Sequence, residues 1–111
     1  MAPLTASIFP QADESVRIEV TGDLHMAWGH RLRDAVSASL GSFAPKLVVI
    51  DLVGITFLDS AGIGALVGAL KEARERGSEL VVRNPTPFVY HILKITGLTE
   101  AFGLPATSSP D

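Results

Sequence analysis

Asp59-Ser60-Ala61-Gly62-Ile63-Gly64 sets an acid, a hydroxyl and two glycines within six positions. The apolar run Leu47-Val48-Val49-Ile50-Asp51-Leu52 reads as a strand, and Val53 to Leu58 reads as the short connection that carries it to Ser60. A serine where a connection becomes a helix sits at the positive end of the helix dipole, beside backbone N–H groups that no intrahelical carbonyl reaches. Phosphoryl oxygens on Ser60 would find those groups, and a phosphate brings ~1.5 to 2 negative charges at neutral pH. Gly62 and Gly64 would keep the first turn free of bulk, so that a partner can approach Ser60 closely. The plainer use of the same residues is capping. Asp59 and Ser60 are both able N-caps, only one can take the half-in position, and the cap is worth about 1 kcal/mol.

Other chemistries fit less well. Gly62-Ile63-Gly64 resembles part of a dinucleotide loop, but Val67 stands where G-x-G-x-x-G requires its third glycine, and no G-x-x-x-x-G-K-[ST] loop is present. Gly64 and Gly68, with Ala61 and Ala65, more simply let a helix sit close to a sheet. Leu58 occupies the first glycine position of a G-x-S-x-G elbow, and no spacing ties His25, His30 or His91 to Ser60 as a base, so a hydrolase is disfavoured. His25 and His30 lie five apart, poorly matched to one helical face, and no H-E-x-x-H pattern exists, which argues against a metal. Asp51 and Asp59 are separated by strand and connection, so paired-acid catalysis does not follow. No cofactor and no catalytic residue is expected.

The elements that position Ser60 follow from periodicity. Ser7-Ile8-Phe9 suits a short edge strand before Pro10, and Val16-Arg17-Ile18-Glu19-Val20 alternates as a strand covered on one face, closed by Thr21-Gly22-Asp23. From Ala27 the period changes. Leu32, Val36 and Leu40 mark an amphipathic helix that Gly41 to Pro45 ends. Met26 and Trp28 precede its apolar stripe and suit either burial at the sheet end or contact with a partner. The second helix starts near Ser60, with Ile63, Leu66, Val67 and Leu70 inward, and Gly77 is a natural residue just past its end. Glu79 to Val82 supplies a further strand. Thr86 and Pro87 can open a third helix with Phe88, Ile92 and Ile95 inward, and Thr99 to Phe102 can add one helical turn. The strand–helix alternation indicates an α/β layer, one domain over residues 1–111, with 1–6 and 105–111 flexible.

Composition narrows the partners. The 111 residues are 47% hydrophobic and 19% charged, with net charge -3 and no basic cluster, which disfavours nucleic acid and anionic membranes as partners. Cysteine is absent, excluding disulfides and thiolate chemistry and agreeing with a cytoplasmic location. The start Met1 to Ala6 has no positive n-region or sustained apolar stretch, so it is not a secretion signal. Leu47 to Leu70 is long enough to span a bilayer, but Asp51 and Asp59 would each cost roughly 3 kcal/mol near the middle of an inserted helix.

Leu58 to Gly64, within Leu47 to Gly77, resembles the STAS domain of bacterial anti-sigma factor antagonists. Ile18 to Leu24, Leu80 to Pro85 and Thr96-Gly97-Leu98 fall in the family's order, so the similarity spans roughly residues 12 to 103. The resemblance implies a single domain with a mixed four- to five-stranded sheet and packed helices. It implies that Ser60 is the serine phosphorylated by an anti-sigma factor with serine kinase activity. The unmodified antagonist then binds that partner, and a PP2C-type phosphatase reverses the modification. Asp23, His25, Asp59, Ser60, Ala61, Gly62 and Gly64 map to the partner-binding and phospho-loop positions, in a cytoplasmic monomer or weak dimer. His25 departs from the pattern, because an acidic residue is common there, and this bears on kinase recognition. The alternative is a STAS scaffold or ligand-responsive regulatory module that is not phosphorylated.

Overall fold

Alternating and continuous apolar runs become four strands of one sheet in the computed structural model, which describes residues 2–105. Strand β1 (Thr5–Pro10) pairs antiparallel with β2 (Ser15–Leu24), from Thr5 opposite Thr21 to Pro10 opposite Val16. β3 (Leu47–Leu58) runs parallel to β2, and β4 (Glu79–Arg83) parallel to β3, giving the spatial order β1-β2-β3-β4. Parallel neighbours need a crossover. Helix α1 (Gly29–Phe43) makes the first, α2 (Ser60–Glu75) the second, and α3 (Pro87–Ile95) follows β4. This is the mixed-sheet α/β architecture expected from the sequence.

Val16, Ile18 and Val20 of β2, Val48, Ile50 and Leu52 of β3, and Leu80 and Val82 of β4 are buried and share one core with Leu32, Val36 and Leu40 of α1 and Leu66 and Leu70 of α2. Burying a side chain of this size contributes about 1.5–3 kcal/mol. Phe102 closes the core from the last segment, and its carbonyl accepts the Val82 N–H at 3.0 Å. Thr99 to Phe102 forms a single turn that does not continue as a helix, with the Phe102 N–H donating to the Leu98 carbonyl at 3.2 Å.

Both strands that lead to the site are longer than their sequences suggest. Thr21-Gly22-Asp23 does not close β2, and Val53 to Leu58 is strand rather than connection. The two extensions pair with each other, Thr21 with Gly54 and Leu24 with Leu58, through register shifts at Glu19/Thr21 and Gly22/Asp23. Extra residues at such bulges let a strand pass through apparent turn chemistry. Gly22 adopts φ 105°, and a Cβ there would meet the Pro3 carbonyl. Only glycine fits comfortably.

The segment before β1 accounts for that contact. Residues 1–6, expected as a loose lead-in, include Leu4, which is fully buried, and the first two residues of β1. The Ala2 N–H donates to Asp23 Oδ2 at 2.9 Å, and the Asp23 N–H donates to the Ala2 carbonyl at 3.1 Å. The end of the chain after residue 105 lies outside the described residues.

α1 buries Leu32, Val36 and Leu40 as expected, while the faces of α2 and α3 are rotated from expectation. α1 begins at Gly29, runs through Gly41 and stops at Ala44, which is left-handed at φ 43°. α2 buries Gly62, Ala65, Leu66, Ala69, Leu70 and Ala73, leaving Ile63 and Val67 half-buried. Small residues on that face let α2 approach closely, and a Cβ on Gly29 of α1 would stand 3.2 Å from Ala65. α3 buries Val89, Tyr90 and Leu93, while Phe88 and Ile95 are exposed and Ile92 half-buried. Thr86 caps it as expected, accepting the Val89 N–H at 3.3 Å, with Pro87 at its first position.

Candidate functional site

The carboxyl ends of β2 and β3 lie side by side and carry the chain into α1 and α2. The Asp59 N–H continues the ladder to the Leu24 carbonyl at 3.3 Å, and its own carbonyl accepts the Ile63 N–H at 2.9 Å, starting α2. Its carboxylate accepts the Gly62 N–H at 2.8 Å. Asp59 is therefore the N-cap, which resolves the choice that the sequence leaves open. Ser60 becomes the first helical residue, exposed to solvent, with a hydroxyl that has no hydrogen-bond partner among the described residues.

The two glycines that follow have different tasks. Gly62 is buried, and a Cβ on it would run into the Leu24 carbonyl. Gly64 faces open space, with nothing within 4 Å of where its Cβ would stand. Close packing against the sheet thus rests on Gly62 rather than on Gly64, Gly68 and Ala61. Gly68 faces the Arg33 guanidinium of α1, and Ala61 is exposed beside Ser60.

Asp23 stands apart from the other expected contact residues. It is 6% exposed, holding the Ala2 N–H and accepting the Thr56 hydroxyl at 3.0 Å on its other oxygen. Those bonds make it an internal clamp between the chain start and β3, with little surface to offer a partner. The segment before β1 reaches over it, and no local pattern signals that contact.

His25 begins the connection to α1. Its carbonyl accepts the Trp28 and Gly29 N–H groups at 2.9 Å, and its Nδ1 accepts the Ala27 N–H at 3.3 Å. The imidazole lies edge-on to Trp28 and Phe57, with ring centroids 6.1 and 6.3 Å away, and its Nε2 is buried without a partner among the described residues. Arg31 stacks over Trp28 at 4.6 Å while donating to the Leu4 carbonyl at 3.1 Å. Trp28 is accordingly half-buried and packed on the core, whereas Met26 beside it is 81% exposed and Phe57 is 37% exposed. Of the two uses open to Met26, burial against the sheet end is ruled out.

A shallow groove runs beside Ser60 between the start of α1 and the first turns of α2. His25, Met26, His30 and Arg33 line one wall, and Ala61 and Gly64 the other. No carboxylate lines it. His30 and Arg33 are three apart on α1, a spacing that puts them on one face, and this signal was available in the sequence. Phe57 carries no such signal, whereas Met26 is among the residues the sequence offers for contact with a partner. Among the described residues no group of three His, Asp or Glu side chains could hold a metal ion. No helix of the described residues is long and apolar enough to cross a membrane.

Comparison with known proteins agrees with this architecture. The chain is 26% identical over 85 residues to the anti-sigma F factor antagonist of Lysinibacillus sphaericus, covering 77% of this chain and 73% of that protein. It is 41% identical over 51 residues to the anti-sigma-B factor antagonist of Listeria monocytogenes, covering 46% and 45%. The crystal structure of an anti-sigma factor antagonist from Mycobacterium paratuberculosis superposes with a TM-score of 0.74 at 28% identity, covering 94% of this chain and 86% of that one. The family profile described as "Mlab, STAS domain" matches residues 8–105, and with this extent of match the chain belongs to the STAS domain family.

Proposed function

We propose that this protein is an anti-sigma factor antagonist: unmodified, it binds an anti-sigma factor with serine kinase activity, and phosphorylation at Ser60 switches that binding. The observation that carries the switch is the exposed, unpartnered Ser60 hydroxyl at the first position of α2, immediately after its Asp59 cap. The names of the Lysinibacillus and Listeria relatives support the role as antagonist. Transfer from ATP forms the bond from Ser60 Oγ to the γ-phosphorus, releases ADP, and passes the hydroxyl proton to a base on the kinase. Asp59 shapes the junction by holding the Gly62 N–H, which fixes the direction in which Ser60 is presented. A PP2C-type phosphatase returns the hydroxyl. The added charge alters the docking surface without refolding, because Ser60 supports no packing that its modification would break. Neither nucleic acid nor membrane is a partner in this scheme, and the protein acts in the cytoplasm as a monomer or weak dimer.

Incubation with the anti-sigma kinase of the same genome and ATP, followed by phosphosite mapping, tests the reading. Phosphate is expected on Ser60 alone, with labelling abolished in Ser60→Ala and the circular dichroism of that variant unchanged. Labelling elsewhere, or none, defeats it. Calorimetric titration of Ser60→Asp and Ser60→Glu with the same kinase should show weaker binding, and unchanged affinity would remove charge as the active change.

A further inference from the structure

Resting on the reading of Ser60 as the modified residue, we propose that the groove beside it is a receptor in cis for the phosphate, with Arg33 and His30 holding the phosphoryl oxygens. Ser60, Gly64 and Gly68 are spaced four apart and so fall along one stripe of α2. Gly64 has open space beside it, and at Gly68 the nearest atoms belong to the Arg33 guanidinium. No side chain of α2 along this stripe stands between Ser60 and Arg33. The axial separation from Ser60 to Gly68 is about 12 Å, to be bridged from one side by a phosphoserine and from the other by the length of the arginine side chain. His30 lies one turn nearer on α1 and lines the same groove.

Arg33 is free to take this role. Its only ion pair among the described residues is a loose one, with NH2 3.7 Å from Glu72 Oε1, and its Nε is buried without a partner. Glu72 does not depend on it, accepting the Ser37 hydroxyl at 2.8 Å on both oxygens and standing 3.4 Å from Arg76. A guanidinium is permanently charged and matches phosphate oxygens with paired N–H donors. The charged and titratable groups nearest this stripe are Asp59, which caps α2 next to Ser60, and His25, His30 and Arg33, which line the groove that Ala61 and Gly64 also line. Asp59 opposes a phosphate, and Arg33 favours it. Capture in cis would fill the groove with the protein's own phosphate, closing off its cationic wall together with the approach beside Met26.

Phosphoserine installed at position 60 during translation, with no kinase involved, allows a direct measurement by phosphorus NMR. A failure here therefore leaves the kinase reading untouched, and a failure of labelling leaves this test intact. The second ionisation of the phosphate, near pH 6 when free, should occur roughly half a unit lower in the folded protein than in urea, since a nearby cation favours the charged form. Arg33→Gln should abolish most of that displacement, His30→Gln part of it, and Arg33→Lys should keep more of it than Arg33→Gln. Arg76→Gln, which touches Glu72 but not the groove, should change nothing. Trp28 fluorescence checks that each variant is folded. Coincident titrations in the folded and unfolded protein, or a folded displacement that Arg33→Gln leaves intact, would overturn the proposal.

Discussion

Near the end of α2, Glu72 receives a hydroxyl on both carboxylate oxygens and faces two arginines, while at the start of the same helix the Ser60 hydroxyl has no partner among the described residues. Both ends are polar and both face α1 or its lead-in, yet only one is committed to holding the helices together. The Glu72 cluster joins α1 to α2 through Ser37 and fixes their relative height. At the amino end the commitment stops one residue short: Asp59 is bonded to Leu24 and Gly62, and Ser60 is left over. Polar groups with their bonds made internally are structural, whereas an exposed one standing on a fixed support is available for chemistry.

The sharpest way to break this comparison is at the two glycines that follow Ser60. Gly62→Ala drives a methyl group into the Leu24 carbonyl, where backbone must shift on both sides. A loss of roughly 3 kcal/mol is expected, at the upper end of overpacking costs, together with disturbance of the Asp59 cap. Gly64→Ala meets nothing and should raise stability by up to about 1 kcal/mol through helix propensity and a less flexible unfolded chain. Denaturant titration of both variants checks the opposite signs, and similar losses in the two would show that the first turn of α2 is not seated on Leu24.

Next in size is the contrast between the two carboxylates. Glu72→Ala strands the Ser37 hydroxyl and unbalances Arg33 and Arg76, at a cost of about 1–2 kcal/mol after discounting the half-exposed arginines for solvent screening. Asp59→Ala removes the cap for about 1 kcal/mol. Thermal unfolding ranks them, and phosphorylation separates them. Loss of Glu72 should leave the rate of Ser60 labelling within about twofold, since a local helix-pair contact lies two turns or more from the site. Loss of Asp59 should slow it strongly because the presentation of Ser60 changes.

Much of this was legible in the sequence, and the misses share a cause. Val16 to Val20, Leu47 to Leu52, the Thr86-Pro87 start of α3 and the Asp59-Ser60 junction all announced themselves through local period or capping chemistry. Thr21-Gly22-Asp23 announced a turn but belongs to a strand, because the Pro3 carbonyl lies over Gly22 and Ala2 binds Asp23. The face of α3 was ambiguous for a similar reason. Phe88, Ile92 and Ile95 fit helical spacing, as do Val89 and Leu93, and only docking on the rest of the fold selects the second set. Asp23 maps by resemblance to a partner-binding position, and nothing in its neighbourhood reveals the segment that covers it. Contacts distant in sequence decided each case, Ala2 with Asp23 and α3 with β3, and local pattern does not encode them.

The smallest structural effects should come from the residues with the largest functional ones. Ser60→Ala removes an exposed hydroxyl with no partner, and Met26→Ser removes an exposed thioether, so each should change stability by under about 0.5 kcal/mol. Met26 is the most exposed of the large hydrophobic residues described and stands on the rim of the groove beside Ala61 and Gly64. An apolar side chain left in water at the edge of a polar site gains by being covered, and interfaces are enriched in methionine. Met26→Ser should therefore weaken binding of the anti-sigma partner about fivefold or more, the loss expected of an interface residue whose truncation costs over about 1 kcal/mol, with an unchanged unfolding curve. Phe88→Ser, an exposed aromatic on α3, provides the matched control on another element. If Phe88→Ser weakens binding while Met26→Ser does not, the docking surface lies toward α3, and the unpaired hydroxyl at the start of α2 is merely an exposed serine.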